Sequence, residues 1–213
     1  MHELEWMDLF PAVSARVYIV DDDELVCESL AHAVARGGYA SARFTNPEDF
    51  LESIDLDVPG CVLLDVVMPE RDGLQVQQVL AACGCSLPIV FVSGQSEVGV
   101  AVQAMKHGAF DFVEKPVREQ ALIDVVTRAV QHDVKARIAK VRNARLQKRF
   151  ATLTPREREV LSLLVEGGAN KSIAADLGLS SRTVEIHRAN IMGKLGAKSV
   201  AELVRVHVAC HRA

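Results

Sequence analysis

The sequence lacks the features that mark membrane, secreted and low-complexity proteins. No apolar run approaches the roughly 18 residues that a membrane-spanning helix needs. The first residues are acidic and lack the basic segment of a secretory signal peptide. No internal repeat or biased tract interrupts a chain that is 49% hydrophobic and 24% charged. We therefore expect a soluble, globular protein that has no membrane partner and stays in the cytoplasm.

A regular cysteine pattern is also lacking. The five cysteines are an odd number without a doubled CxxC spacing, which disfavours both a disulfide framework and a zinc site. We interpret them as reduced thiols. Cys83 and Cys85, one glycine apart, could ligate a metal, but no second pair supports them. The sequence also lacks a Ser–His or metal-hydrolase motif, which makes an enzyme the least favoured class.

The net charge of −4 is distributed unevenly along the chain. Residues 1–130 contain 8 Lys and Arg against 21 Asp and Glu, whereas residues 131–213 contain 16 against 7. A basic half suggests a polyanionic partner, and an acidic half would repel that partner. The alternative is that two solvated surfaces merely differ in charge.

Short apolar, β-branched runs alternate with helical patterns in the acidic half. This alternation predicts a five-stranded parallel sheet with helices on both faces, a flavodoxin-like, doubly wound α/β domain. The predicted strands are Arg16–Val20, Ser41–Phe44, Cys61–Asp65, Ile89–Ser93 and Asp111–Glu114. Predicted helices between them include Leu25–Ala35, Leu74–Ala82 and Val98–His107.

The basic half is predicted to be entirely helical. Residues 120–149 contain no Gly or Pro and carry one apolar stripe, which predicts a long linker helix. A coiled-coil dimer stem remains an alternative for this helix. Beyond it we predict four helices, Pro155–Val165, Asn170–Leu177, Ser181–Leu195 and Ser199–His211. Thr154, Pro155 and Glu157 form a helix-start signature.

Chemically active side chains follow the predicted strands. Asp21, Asp22 and Asp23 follow the first strand, Asp65 ends the third, Ser93 ends the fourth and Lys115 follows the fifth. The carboxyl ends of parallel strands share one edge, so these groups should converge. Clustered carboxylates suit Mg²⁺, and an aspartate can form an aspartyl phosphate. Taken singly, Asp23 could be only a helix N-cap and Lys115 only a solvated lysine.

The segments VDDDE, LLDVVMPERDG, VFVSG and VEKP resemble, in order and spacing, the receiver domain of two-component response regulators. The resemblance covers about residues 15–130 and implies that Asp65 accepts a phosphoryl group. It also implies a Mg²⁺ site and a set of groups that stabilise or sense the phosphoryl oxygens. The metal ligands would be Asp21, Asp22, Asp65 and the backbone carbonyl of Val67, and the phosphoryl-stabilising and switch residues Ser93, Lys115 and Phe112.

Two further expectations concern this site. Dehalogenase-type hydrolases also use an aspartate after a strand but place an acid two residues later; Val67 stands there, so phosphatase turnover is not expected. The Lys115 ammonium should have little to hold before phosphorylation. Its removal should then leave the melting temperature near normal.

The segment from LTPREREVL to GKLGAKS resembles the LuxR-type helix-turn-helix of the NarL/FixJ response regulators, and RTVEIHRANIMGKL is most similar to the FixJ branch. In the helix Ser181–Leu195, one stripe of Val184, His187, Ile191 and Leu195 should face the core. The opposite face should enter a major groove. The DNA-binding candidates are Lys171, Arg182, Thr183, Glu185, Ile186, Arg188, Ala189, Asn190 and Lys194.

Together these patterns predict an N-terminal extension (1–14), a receiver (15–130), a helical linker (131–149) and a LuxR-type DNA-binding domain (150–213). The expected function is a transcription regulator that a sensor histidine kinase phosphorylates on Asp65 in a Mg²⁺-dependent reaction. Phosphorylation should promote homodimerisation and binding to a double-stranded DNA operator. Pairing could use the fourth-helix and fifth-strand face or the last helix, through Val200, Leu203, Val204 and Val208. The alternative is a protein-interaction or phosphate-accepting module without an operator.

Overall fold

The computed structural model describes residues 15–94 and 98–211, with side chains described up to residue 208. The extension predicted for residues 1–14 lies outside these residues. The chain divides into two compact units, Met1–Ala136 and Arg137–Ala213, each described by itself below. Among the described residues, no helix is long and apolar enough to cross a membrane.

The first unit contains one parallel sheet with the strand order β2-β1-β3-β4-β5, which confirms the predicted doubly wound fold. In register, Val20 of β1 lies beside Leu64 of β3, and Ser93 of β4 lies beside Glu114 of β5. The carboxyl ends of these strands therefore meet at one edge. The strands are β1 (Arg16–Val20), β2 (Ala40–Phe44), β3 (Gly60–Leu64), β4 (Ile89–Ser93) and β5 (Asp111–Glu114).

Helices cover both faces of this sheet. Alternate residues along each strand point to opposite faces, so Val17 and Ile19 enter one core while Tyr18 and Val20 enter the other. The first core is completed by α1 and the start of α5, the second by α2, α3 and α4. The helices are α1 (Glu24–Arg36), α2 (Pro47–Ser53), α3 (Gly73–Ala82), α4 (Val98–Lys106) and α5 (Glu119–Ala151).

A glycine and a buried aspartate fix the start of β3. A Cβ atom on Gly60 would lie 1.9 Å from the carbonyl oxygen of Arg16, so no larger residue fits this pairing. The Gly60 amide donates a hydrogen bond to Asp133 Oδ2 at 3.0 Å. Asp133 lies on α5 and is fully buried. The carboxylate therefore ties this helix to the strand that leads to Asp65.

The second unit contains the last part of α5 and four further helices, as predicted from the sequence. Thr154 caps α6, and the reciprocal bond from the Thr154 amide to Glu157 completes a capping box. Gly178, at φ 64°, ends α7 and allows the tight turn into α8. The four helices are α6 (Pro155–Val165), α7 (Asn170–Leu177), α8 (Ser181–Leu195) and α9 (Val200–His211).

The helix α9 contributes to the core of the second unit. Leu203 is fully buried among residues of α6, α7 and α8. Placing Leu203 on a dimer surface was therefore wrong, because its side chain already fills the core of its own unit. Val200 and Val204 are half-buried, and Val208 is 39% exposed. Less apolar surface is left on α9 than its sequence pattern indicated.

Candidate functional site

The carboxyl edge of the sheet gathers the polar residues predicted to converge there. The Asp65 amide donates to the Val20 carbonyl at 2.8 Å, which sets the start of the β3–α3 loop beside the end of β1. The Lys115 amide donates to the Ser93 carbonyl at 2.8 Å, which does the same for β5 and β4. Backbone bonds of the sheet therefore place these side chains before any ligand contributes.

The Lys115 ammonium joins the two buried carboxylates of this edge. Its Nζ lies 2.6 Å from Asp21 Oδ2 and 2.7 Å from Asp65 Oδ1. The side chains of Asp21 and Asp65 are only 3% and 7% exposed, and that of Lys115 is 23% exposed. The expectation that this ammonium has little to hold was wrong. Two carboxylates that solvent hardly reaches need a neighbouring cation, and the Lys115 ammonium is that cation.

The charges at this edge shift the pKa values of Asp21 and Lys115. Burial raises the pKa of Asp21 above 3.8, and hydrogen bonds from Lys115 and the Asp23 amide offset only part of that rise. Burial lowers the pKa of Lys115, but its hydrogen bonds to Asp21 and Asp65 outweigh this effect, so its pKa lies above 10.5. Lys115 is therefore a permanent cation at neutral pH.

A close backbone approach fixes the position of Asp65. Its Oδ2 accepts a hydrogen bond from the Val67 amide at 2.7 Å. The Gly73 amide donates to the Val66 carbonyl at 2.9 Å, and a Cβ atom on Gly73 would lie 2.1 Å from the Asp65 carbonyl oxygen. Asp72 caps α3 in a capping box with Gln75. The start of α3 is therefore pressed against the loop that carries Asp65.

The oxygen-rich edge has the donor type that Mg²⁺ prefers. Carboxylate oxygens of Asp21 and Asp65 both contact the Lys115 ammonium, and Asp22 is exposed beside them. In residues 15–94 and 98–211, no three His, Cys, Asp or Glu side chains are grouped closely enough to hold a metal by themselves. An ion that keeps several waters and takes few protein ligands fits such a site. Mg²⁺ is that kind of ion.

Two alternatives raised by the sequence concern Asp23 and the cysteines. The Asp23 side chain accepts from the Leu25 and Val26 amides and caps α1, so it is a helix cap. The Cys83 thiol is exposed and the Cys85 thiol is half-buried. Cys61 is fully buried, and burial raises its pKa to about 12.

The switch candidates lie on the adjoining strands. Ser93 is 1% exposed at the end of β4. Phe112 on β5 is half-buried and stacks on Phe91, with ring centroids 6.4 Å apart. Beside Phe112, α4 presents an unusual amount of apolar surface. We call this surface the α4 face; its exposed fractions are 77% for Val98, 45% for Val102 and 47% for Met105.

In the second unit, α8 has the two faces that its sequence predicts. Val184, Ile191 and Leu195 are at most 1% exposed and lie in the core. On the opposite face, Ile186 is 50% exposed although it is apolar. The other candidates on that face that are exposed are Arg182, Glu185, Ala189 and Asn190. The structure thus brings one contiguous side of α8 to the surface.

Three residues predicted to contact DNA form hydrogen bonds within the second unit. Lys194 Nζ lies 2.6 Å from Glu157 Oε2 and donates to the Thr152 carbonyl at 3.2 Å, so its ammonium anchors α8 within its own unit rather than being free for a DNA phosphate. Arg188 donates to Asn170 Oδ1 on α7 at 3.2 Å. Thr183 shares a hydrogen bond with the cap residue Ser180. Lys171 is exposed at the start of α7.

Two family models match the two units. The model for "Response regulator receiver domain" matches residues 17–127. The model for "Bacterial regulatory proteins, luxR family" matches residues 151–207. The first contains the site at the sheet edge and the second contains α7 and α8.

Known proteins and structures agree with these matches. The chain is 42% identical over 194 residues to the transcriptional regulatory protein FixJ of Rhizobium meliloti, covering 91% of this chain and 95% of that protein. It is 39% identical over 195 residues to Nodulation protein W of Bradyrhizobium diazoefficiens, covering 92% and 86%.

Among solved structures, the response regulator StyR aligns with a TM-score of 0.80 and 37% identity, over 92% of this chain and 98% of that one. Full-length FixJ from B. japonicum aligns with a TM-score of 0.59 and 33% identity, over 95% and 100%. The protein is therefore a member of the FixJ-like response regulators, transcription regulators that join a receiver domain to a LuxR-type DNA-binding domain.

Proposed function

We propose that this regulator is switched by transfer of a phosphoryl group from a sensor histidine kinase to Asp65. The observation that carries the proposal is the Lys115 ammonium, which holds the carboxylates of Asp21 and Asp65 at 2.6 and 2.7 Å. A buried carboxylate beside a fixed cation and a second acid is a site prepared for phosphoryl transfer. We expect the protein to act in the cytoplasm, where DNA is available.

The proposed reaction forms one bond and breaks another. An Asp65 carboxylate oxygen attacks the phosphorus of a phosphohistidine, the P–N bond breaks, and the imidazole leaves with the electron pair and takes up a proton. Asp21, Asp22, Asp65 and the Val67 carbonyl would hold Mg²⁺, which neutralises charge on the phosphoryl oxygens. Lys115 would move its hydrogen bonds from the acids to those oxygens, and Ser93 would donate to another.

The product should persist long enough to act as a signal. Hydrolysis of an aspartyl phosphate benefits from a general base that takes a proton from the attacking water. Val67 occupies the position two residues after Asp65 and is 58% exposed, and its apolar side chain accepts no proton. We therefore assign the site to signalling rather than to catalytic turnover.

The proposed output is operator binding by α8. The exposed residues Arg182, Glu185 and Asn190 would reach base edges in the major groove, and Ile186 and Ala189 would contact thymine methyl groups. Lys171, Thr183 and Arg188 would approach the phosphates from the start of α7 and the flank of α8. Their positions in the second unit support this assignment.

Dimerisation on phosphorylation is proposed to use the α4 face. Phosphorylation would draw Ser93 toward the phosphoryl oxygens and allow Phe112 to move, which changes the surface beside both. The exposed Val98, Val102 and Met105 provide the apolar area for pairing. A few kcal/mol of differential affinity between two states is enough for such a shift. A smaller contact through Val200, Val204 and Val208 of α9 would bring two α8 helices to two half-sites.

Labelling by a small phosphoryl donor tests the first step. Wild-type protein should be labelled only when Mg²⁺ is present, and Asp65→Asn should not be labelled. Asp57→Asn is the matched control, because Asp57 is exposed before the amino end of β3, whereas Asp65 follows its carboxyl end. Undiminished labelling of Asp65→Asn would refute the proposed acceptor.

Sedimentation and footprinting test the output. With Mg²⁺ and a beryllofluoride phosphoryl mimic, the protein should shift from monomer to dimer and protect paired half-sites on genomic fragments. A tight dimer in both states would contradict pairing as the switch. Phosphorylation without duplex binding at low salt would instead support a phosphate-accepting module.

A further inference from the structure

The C-terminal part of α5 is positively charged, and no acidic residue close in sequence balances this charge. Between residues 134 and 156 the chain contains no Asp or Glu. Over the same stretch α5 continues without a break to Ala151. Within the second unit, Lys140, Arg142, Arg145 and Lys148 are all exposed. In the part of the chain that the structure describes, none of these four forms a salt bridge or a side-chain hydrogen bond.

Three of these side chains share one side of the helix. At about 100° per residue, Arg142, Arg145 and Lys148 fall within a sector of roughly 120°. We call this trio the basic face. Lys140 lies on the opposite side of the helix. Favourable interaction with the helix dipole accounts for a cation in the last turn, such as Lys148, but not for Arg145 and Arg142, about one and two turns earlier.

A second copy of this chain is a poor partner for the basic face. The apolar stripe of α5 runs through Val134, Ile138 and Val141, and a coiled coil would continue it at four- and three-residue steps. Those steps reach Arg145 and Lys148. Two copies paired along this seam would place like charges against each other. A polyanion suits the same side chains.

The basic face points to the same side as the end of α8. Arg149 falls within the same sector, and its Nη1 donates to the Leu195 carbonyl at the end of α8 at 3.3 Å. A second hydrogen bond has its donor on α8: Lys194 donates to the carbonyl of Thr152, just after the end of α5. The last turns of α5 are therefore fixed to the C-terminal end of α8.

The major groove is about 12 Å wide, so a helix that lies in it has a phosphate strand on either side. The basic face begins one residue before Arg149 and extends roughly 9 Å back along α5. Its arginine and lysine side chains are therefore candidates for contacts with those phosphates.

We propose that Arg142, Arg145 and Lys148 bind the phosphate backbone of duplex DNA next to the site read by α8. The inference rests on the proposed operator binding and adds a second contact surface to it. These contacts raise affinity for any duplex and leave the choice of sequence to α8. The linker helix is then part of the DNA-binding surface.

The test is the salt dependence of duplex binding by the full chain. The triple variant Arg142→Gln, Arg145→Gln, Lys148→Gln should reduce the slope of log K against log salt by about 0.9 for each lost contact, up to about 2.7. Near 0.15 M salt this corresponds to roughly a fivefold weaker affinity per contact. The ratio of operator to non-operator affinity should stay unchanged. Lys140→Gln is the matched control and should leave the slope as it is.

The outcomes separate this inference from the function on which it rests. An unchanged slope in a folded triple variant that still binds its operator overturns the basic face and leaves operator binding intact. A slope change of about 0.9 in Lys140→Gln, the full value of one contact, also overturns it, because the effect would then be general charge. Absence of any duplex binding by the unaltered chain overturns both. Circular dichroism and melting of each variant verify that the fold is retained.

Discussion

Replacing Lys115 by methionine tests how the phosphoacceptor site is stabilised before phosphorylation. The substitution keeps the length of the aliphatic chain but removes the ammonium that contacts Asp21 and Asp65. Charge-assisted hydrogen bonds contribute about 1.5–3 kcal/mol, and a buried charge left unpaired costs more. Solvent reaches 23% of the lysine side chain, and Asp21 can take up a proton, so both effects reduce the loss.

We therefore expect Lys115→Met to lower the free energy of unfolding of metal-free protein by about 1–3 kcal/mol. Saturating Mg²⁺ should recover much of the loss, because a divalent ion can take over the two carboxylates. The same variant should bind Mg²⁺ more tightly, since the ammonium no longer competes for Asp21 and Asp65.

Denaturant titration with and without Mg²⁺, together with calorimetry, measures both effects. Lys106→Met is the matched control, because Lys106 is exposed on α4 and away from the carboxylates. An unaltered stability in metal-free protein, with unchanged Mg²⁺ affinity, would show that the contacts of Lys115 carry little energy. This result would refute the stabilisation expected from the burial of the two carboxylates and their distances to the ammonium.

Three further predictions concern stability. Glu70 adopts a φ of 67°, so Glu70→Gly should raise the unfolding free energy by about 0.5–1 kcal/mol, and a decrease in denaturant midpoint would contradict the strain argument. Gly73→Ala should destabilise by about 2 kcal/mol or more and impair labelling, because its Cβ would meet the Asp65 carbonyl; normal melting and labelling would contradict this. The hydrogen bond from Lys194 lowers the pKa of Glu157 below 4.5. The stability that this pair gives the folded protein is therefore fully present above pH 4.5 and is lost as the pH falls through the lowered pKa of Glu157 in the folded state. Glu157→Gln should weaken the acid dependence of melting of the full chain.

Much of the fold was predictable because local patterns and the strand order agree. The bounds of β1, β4 and β5 match those read from the sequence. The short helix α2 was not anticipated, since seven residues give little periodicity, although Asn46 and Pro47 form a usable start signal. The convergence of Asp21, Asp65, Ser93 and Lys115 followed from the geometry of parallel strands.

The contacts that the sequence could not supply are those between distant residues. Lys115 is 94 positions from Asp21, and only the folded distance shows that its ammonium is already engaged. Lys194 and Glu157 are 37 positions apart, so their pairing could not be separated from a DNA contact by pattern alone. The burial of Leu203 likewise depends on how α9 packs on its neighbours, which periodicity does not specify.

The hydrogen bond between Gly60 and Asp133 has a practical consequence for dividing the protein into fragments. A receiver fragment ending at residue 130 would lack Asp133 and leave the Gly60 amide without its carboxylate in a buried site. An unsatisfied buried donor costs about 1–3 kcal/mol, a large share of the stability of a small domain. A fragment ending after Ala136 would retain the bond. Poor behaviour of the shorter fragment would then report a missing anchor in α5, not an intrinsic need of the receiver for its DNA-binding partner.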